Sequence, residues 1–395
     1  MNGNLNYFHT EVGHARGAFA VLSLDEFKPD VHRCYSSIEI QLEGLEPVSG
    51  VAPISKVKVP AKPGDDPTWS ATINKSARLS WSTGGHFITL DYSYSAQAFD
   101  FYEFRIAFGP SLRITSSKPL TLAERWLEWI KPLRQLISLL TGAPRGLRYF
   151  LASTEGKDRR PQHDQVFGWD ITHSPSNSVR ATIDKTHSLL SLTEDNISLL
   201  DLLHSWQKYI ADRHPLFETY GAMTTAADQH PRSRLLLLLQ ALEGSFGFEN
   251  RIQHQESSEQ YRNKRNAVMV RANDVMGEAD LKFIEKNLRR EALQGLDAAL
   301  AKLLKRLPNE FSAELADTEL IKGILEADTG GEKLPLHSAL TRVRNTLSHG
   351  SGSFEPLHLE AVANILERAV RAEVIRFLGA SEEAQRRAAG KPEQR

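Results

Sequence analysis

Cysteine is almost missing from this chain: Cys34 stands alone among 395 residues. No internal disulfide can form, so packing and hydrogen bonds must hold the fold, as suits a reducing compartment. A thiol nucleophile at Cys34 is one reading, and an inert strand residue is the one favoured by the habits of free cysteine. Net charge is missing too. The 48 Lys and Arg nearly cancel the 49 Asp and Glu, leaving −1. Bulk attraction to nucleic acid or membrane is excluded, and a polyanion would have to meet a local basic patch. No apolar run approaches the roughly 18–20 residues of a membrane span. The best, Leu235 to Leu239, is five leucines in a charged neighbourhood. The opening MNGNLNYFHTEVGHARG has no basic stretch followed by an apolar one and does not read as a secretory signal. A cytoplasmic protein is expected. The 14 histidines are scattered, without His-x-x-x-His or paired-cysteine spacing, and there is no P-loop or dinucleotide fingerprint. No cofactor and no metal are expected. Asp158 to Asp164 reads as a polar loop, and Gly142 to Gly146 as a helix stop.

What is present is ordinary globular composition, 41% hydrophobic and 25% charged, in a chain long enough for two domains and a connector. The first part alternates like strands. Gly17 to Phe27, Ser36 to Leu42, Arg78 to Ser82, Phe87 to Tyr94 and Phe101 to Phe108 are strand candidates, the last ending at Gly109-Pro110. Thr83-Gly84-Gly85 is a hairpin signal. Pro47 to Asp66 is expected to be a loop with one edge strand. Near Pro119 a helix begins, with Thr121 and Glu124 at capping-box spacing, Pro132 placed to kink it and Gly142 to cap it. Leu147 to Ser153 and Gln165 to Ile171 suggest further strands. From Thr193 the helical period takes over, pausing at Asp212 to Pro215. Candidate helices then cover 232–249, 256–274, 278–306, 316–327, 334–349 and 356–378. The fold class is α+β: a β-rich N-terminal domain over 1–185, a helical connector over 186–231, an all-helical bundle over 232–380, and a charged tail over 381–395 expected to lack structure.

The segment Leu334 to Gly350, LPLHSALTRVRNTLSHG, carries the chemistry. At about 100° per residue, Leu336, Leu340, Val343 and Leu347 fall within about a 60° arc, which is a core stripe. Asn345 and His349 lie four apart on another face, with Arg342, about 150° from that stripe. A core histidine would sit on the stripe, so His349 must be exposed or face a partner. Arg344-Asn345-Thr346-Leu347-Ser348-His349 resembles the signature of the HEPN superfamily: Arg, a polar residue, a short spacer and His near the end of a late bundle helix. A Gly/Ser turn and one last amphipathic helix follow, as in that family. Leu235 to Phe248, LLLLLQALEGSFGF, looks like the opening helix of the Apea-like HEPN branch, whose members also carry a β-rich N-terminal domain.

The resemblance implies a metal-independent endoribonuclease, acting in anti-phage defence and leaving a 2′,3′-cyclic phosphate. The residue types suit this. Histidine exchanges protons near neutrality, arginine is a planar, permanent cation for phosphate, and Asn345 can orient the imidazole or donate to a phosphate oxygen. The catalytic candidates are Arg344, His349 and Asn345. Arg342, Arg262, Lys264 and Arg265 are candidates for holding RNA, and Glu243 for the bundle cleft. On an ideal helix Arg344 and His349 diverge by about 140°, which suggests a homodimer with two motifs facing one groove, the arrangement for which HEPN proteins are known. The expected partners are RNA, tRNA among the choices, a second copy and a phage-derived trigger. Two rival readings stand. One is a catalytically silent HEPN bundle binding RNA or a partner protein. The other is a sugar-binding β domain using Trp69, Trp81, Tyr92, Tyr94, Phe101 and Tyr102.

Overall fold

The computed structural model describes residues 19–22, 33–58, 70–74, 77–97, 105–154, 162–168, 171–172, 183, 186–224, 226, 228–288, 295–327, 334–350 and 352–390. The chain divides into two compact units. The first comprises 1–43, 52–127 and 146–179, and the second 44–51, 128–145 and 180–395.

Among the described residues the first unit is built on nine strands: β1 Phe19–Leu22, β2 Cys34–Leu42, β3 Ile54–Lys58, β4 Ser70–Ile73, β5 Leu79–Thr83, β6 His86–Gln97, β7 Arg105–Thr121, β8 Leu147–Thr154 and β9 Gln162–Gly168. Seven form one antiparallel sheet in the order β1-β9-β8-β2-β7-β6-β5, and β3 and β4 pair separately. Period-two alternation fixes the register. Ile38 lies opposite Ile114 and Ala152, and Ile40 opposite Leu112 and Phe150. Ile88 and Leu90 continue the same rows through β7, and all eight of these side chains are fully buried. On the other face Glu39 pairs with Arg113 at 2.8 Å. Gly84 and Gly85, both at positive φ, make the two-residue turn between β5 and β6.

Strand β7 corrects the expectation that a strand stops at Gly109-Pro110, because it runs through both. Pro110 lies opposite Tyr92 of β6, and the pairing with β2 starts only at Leu112. The proline therefore sits where β7 has one neighbour, and a missing N–H is tolerated there. The stretch after Pro47 does contain one strand, β3, but its start belongs to a short helix, α1 Leu45–Ser49. Helix α2 Leu122–Arg125 opens with the expected capping box between Thr121 and Glu124. Arg125 is fully buried and donates to Ser116 Oγ and to the carbonyls of Tyr35 and Ser36, at 2.6, 2.6 and 2.9 Å. Cys34 is an exposed strand residue.

Trp126–Ile130 is a π-helical turn leading into α3 Lys131–Thr141. Pro132 lies inside the continuous helical run 122–141, just after the π-turn, so its absent N–H leaves the Glu128 carbonyl without its usual helical donor, and Gln207 Nε2 donates to that carbonyl instead. Gly142 caps α3 in the left-handed region, as expected.

The second unit adds α4 Leu199–Ala211, α5 Pro215–Met223, α6 Pro231–Glu249, α7 Arg251–Asn273, α8 Glu278–Asn287, α9 Leu296–Arg306, α10 Asn309–Ala316, α11 Glu319–Ala327, α12 Leu336–His349, α13 Pro356–Phe377 and α14 Glu382–Ala389. Helices α1 and α3 pack here, α3 against α1, α4 and α5. The stretch expected to be a connector is core: Trp206, Phe217 and Tyr220 are among its largest buried side chains. Tyr209, His214, Phe217, Phe248 and Phe377 form one aromatic cluster, with the Tyr209 and Phe217 rings stacked at 4.5 Å.

Several helix limits differ from expectation. Helix α4 starts at Leu199 because residues after Leu190 form a turn, closed where Asp195 accepts from the Ser191 N–H at 2.8 Å. The run expected over 278–306 is two helices, and 289–294 between them lie outside the described residues. The run over 316–327 is preceded by a separate helix, α10. The tail is corrected as well. Helix α14 buries Ala384, Ala388 and Ala389, packs on α13, and ties Arg387 to Asp195 at 2.6 Å.

Candidate functional site

Helix α12 starts after Pro335 and ends at Gly350, which adopts φ 64 and returns its N–H to the carbonyl of Leu347. Its apolar stripe folds as read: Leu340, Val343 and Leu347 are buried, Leu336 is half-buried, and Ala339 joins them. That stripe docks on α6, α9 and α11. Arg232 on α6 also donates to the Leu347 carbonyl, at 2.5 Å, so a cation sits at the negative end of the helix.

The opposite face is open. Arg342, Asn345 and His349 line one surface groove of about 490 Å³, together with Asp297, Ser338 and Thr341. All three of the first group are exposed. Asp297, in the first turn of α9, accepts from Ser338 Oγ at 2.8 Å and lies 3.5 Å from His337 Nε2. The groove thus offers from α12 one cation, one imidazole, one amide and the hydroxyls of Ser338, Thr341 and Thr346, and from α9 the carboxylate of Asp297, which Ser338 already engages. Such a set can bind a phosphodiester and move a proton beside it.

Arg344 does not line this groove. Its Nη2 pairs with Glu243 Oε2 of α6 at 3.2 Å, and its Nη1 donates to Asn345 Oδ1 at 3.2 Å. The structure therefore brings Arg342, Asn345 and His349 together and holds Arg344 on the flank against Glu243. Arg262, Lys264 and Arg265 lie on α7, away from the groove's lining. The first two are exposed, and Arg265 donates to the Leu288 carbonyl at 3.4 Å. Asp297, Ser338 and Thr341 were missed in the sequence. Ser338, Arg342, Asn345 and His349 repeat at helical spacing, so the serine was within reach of a periodicity argument; Asp297, 41 residues before Ser338, was not. Among the described residues no three His, Cys, Asp or Glu side chains gather as a metal site would need. No helix there is long and apolar enough to cross a membrane.

The model of one protein family, ApeA N-terminal domain 1, matches residues 2–206, more than half of the chain. The chain belongs to the ApeA N-terminal domain 1 family. The β-rich N-terminal half expected from the sequence is thus an ApeA-type domain. The ApeA match takes in the nine strands and α1 to α3, and ends at Trp206 within α4. Helix α12 and its groove lie beyond it. No curated protein and no solved structure matches the chain.

Proposed function

We propose that the helical unit is a HEPN-type, metal-independent endoribonuclease and that the whole chain serves in anti-phage defence. The observation that carries this is the placement of His349 with Arg342 and Asn345, all exposed, in one open groove away from the helix's buried apolar stripe. The match to the ApeA domain, which is associated with anti-phage defence proteins, supports the biological setting.

In this reading a ribose 2′-OH attacks the adjacent phosphorus. Its proton passes to a base, the bond to the 5′-oxygen breaks, and an acid returns a proton to that oxygen. The products are a 2′,3′-cyclic phosphate and a 5′-hydroxyl end. His349 serves as one of the two proton carriers, Arg342 meets a phosphate oxygen, and Asn345 orients the imidazole or donates to phosphate. A single groove supplies one imidazole. A second copy of the chain, facing the first across the groove, would supply the other carrier and bring an Arg344 toward the phosphate. The expected assembly is therefore a homodimer through the helical unit. Incubating the full chain with total RNA in EDTA, beside a His349→Ala variant, tests the proposal. Cleavage by the parent alone supports it, and equal cleavage by both contradicts it.

The second reading is a catalytically silent bundle that binds RNA or a partner protein. The tether of Arg344 to Glu243 favours it, because an arginine already paired is not free for phosphate. Binding of RNA without cleavage, by dimer and monomer alike, would select this reading.

A further inference from the structure

The α12 groove carries charge of both signs, and they lie at different ends. His349 closes the helix, while Asp297 of α9 meets it near its start, at Ser338. Ser338 and His349 are about 16 Å apart along the helix axis. Arg342, one turn beyond Ser338, stands between them. We infer that Asp297 is a specificity residue that reads a guanine base of the bound RNA, at a fixed offset from the cut and not beside it. The inference rests on the reading of this groove as the RNA-cleaving site and names the base that the site prefers.

A carboxylate accepts hydrogen bonds, donates none and repels phosphate. A strand with its phosphates at Arg342 and His349 must therefore present donors to Asp297, and on a nucleotide those belong to the base or the ribose. The carboxylate is held ready for them. Its Oδ1 accepts from Ser338 Oγ at 2.8 Å, with Thr341 Oγ1 farther off at 3.5 Å. Among the described residues its Oδ2 accepts no hydrogen bond, and His337 Nε2 approaches it at 3.5 Å. The side chain is 49% exposed and lines the groove. Nor does it cap its own helix, because the N-cap of α9 is Gly295. Ser338 thus fixes the orientation of the group and leaves its second oxygen to a ligand.

The chemistry of the bases selects among the donors. Single-stranded RNA is read on the Watson–Crick edges of unstacked bases. On that edge guanine carries two adjacent donors, N1–H and the N2 amino group, which the two oxygens of one carboxylate accept together. Adenine and cytosine each offer one amino group beside a ring nitrogen that only accepts. Uracil offers one N–H between two carbonyls. Each of these three would set a lone pair against the carboxylate, so Asp297 favours guanine by attraction and disfavours the others by repulsion. A ribose hydroxyl would satisfy the carboxylate too, but it would do so equally for every base.

RNA oligonucleotides with one guanine in a background of the other bases test the assignment, beside the same strands with inosine, which lacks only the N2 amino group, in its place. The full chain should cut the guanine strand at a fixed offset from that base, with kcat/KM about tenfold above the inosine strand. Asp297→Asn, which keeps an acceptor for Ser338, should hold its Tm and cut the two strands alike. His349→Ala should cut neither, yet bind the 2′-O-methyl form of the guanine strand about tenfold tighter than that of the inosine strand in fluorescence anisotropy. If the parent cuts no RNA, the nuclease reading falls, and the anisotropy comparison decides the base preference by itself. Equal binding and equal cutting of guanine and inosine strands by the parent would overturn the assignment and leave the nuclease reading standing. A guanine preference that survives Asp297→Asn would overturn it as well.

Discussion

Arg344 and His349 sit five residues apart on one helix and point about 140° away from each other. The folded chain keeps that divergence, with the imidazole in the groove and the guanidinium against Glu243. Both lie off the apolar stripe, so His349→Ala and Arg344→Ala should each abolish RNA cleavage while changing stability by less than about 1 kcal/mol in urea unfolding. Full cleavage by either variant would remove that residue from the site. Glu243 and Arg344 are each about a third exposed, so Glu243→Gln should cost below about 1 kcal/mol, readable in the same titration. Arg125 behaves differently. It is fully buried and satisfies two backbone carbonyls, and Arg125→Ala should destabilise the sheet unit by on the order of 3 kcal/mol, seen as a lower Tm. The face carrying Arg342, Asn345 and His349 was legible in the sequence because helical spacing is local. The pairing of Arg344 with Glu243 was not, because 101 residues separate them.

Among the elements, α5 depends on a histidine. His214 is fully buried, and its Nδ1 caps the helix by accepting from the Leu216 N–H at 3.3 Å. Burial pushes its pKa down to about 4 from an ordinary value near 6.5, outweighing the neighbouring Glu249 carboxylate. The folded form therefore favours the neutral ring, and the unfolded chain takes up the proton first. Stability from this group is fully present above about pH 6.5 and is lost as pH falls toward 4. Urea midpoints at pH 7 and pH 5 should differ, and His214→Asn, which keeps a capping oxygen, should narrow the difference; an unchanged gap would contradict this account. Element ends were the least legible feature. Gly109-Pro110 carries a strong turn signal, yet a strand with a single neighbour passes through it. The tail from Ser381 has no leucine stripe, yet its alanines are small enough to pack closely on α13. Strands with strict alternation and the Gly84-Gly85 turn, by contrast, announced themselves, since period two and positive φ are properties of adjacent residues.

At the scale of the molecule, the sequence conveyed the passage from sheet to helices. It did not convey that 44–51 and 128–145, embedded in the β-rich half, group with the helical unit. That grouping depends on which buried faces meet, and no local pattern encodes it. The account also needs two copies of α12 for one reaction. Two grooves that each carry Arg342 would repel across a seam, so an anion should draw them together, and a non-cleavable RNA should raise the dimer fraction at micromolar protein in light-scattering measurements. A strict monomer that still cuts RNA would remove the shared groove. The central claim is that His349 drives cleavage without a metal. Its most direct measurement is the chemistry of the new 3′ ends when the full chain and its His349→Ala variant meet total RNA and tRNA in EDTA. The account predicts 2′,3′-cyclic phosphate ends from the parent and intact RNA from the variant. Cleavage that stops in EDTA and returns with a divalent ion, or that proceeds equally without His349, would contradict it.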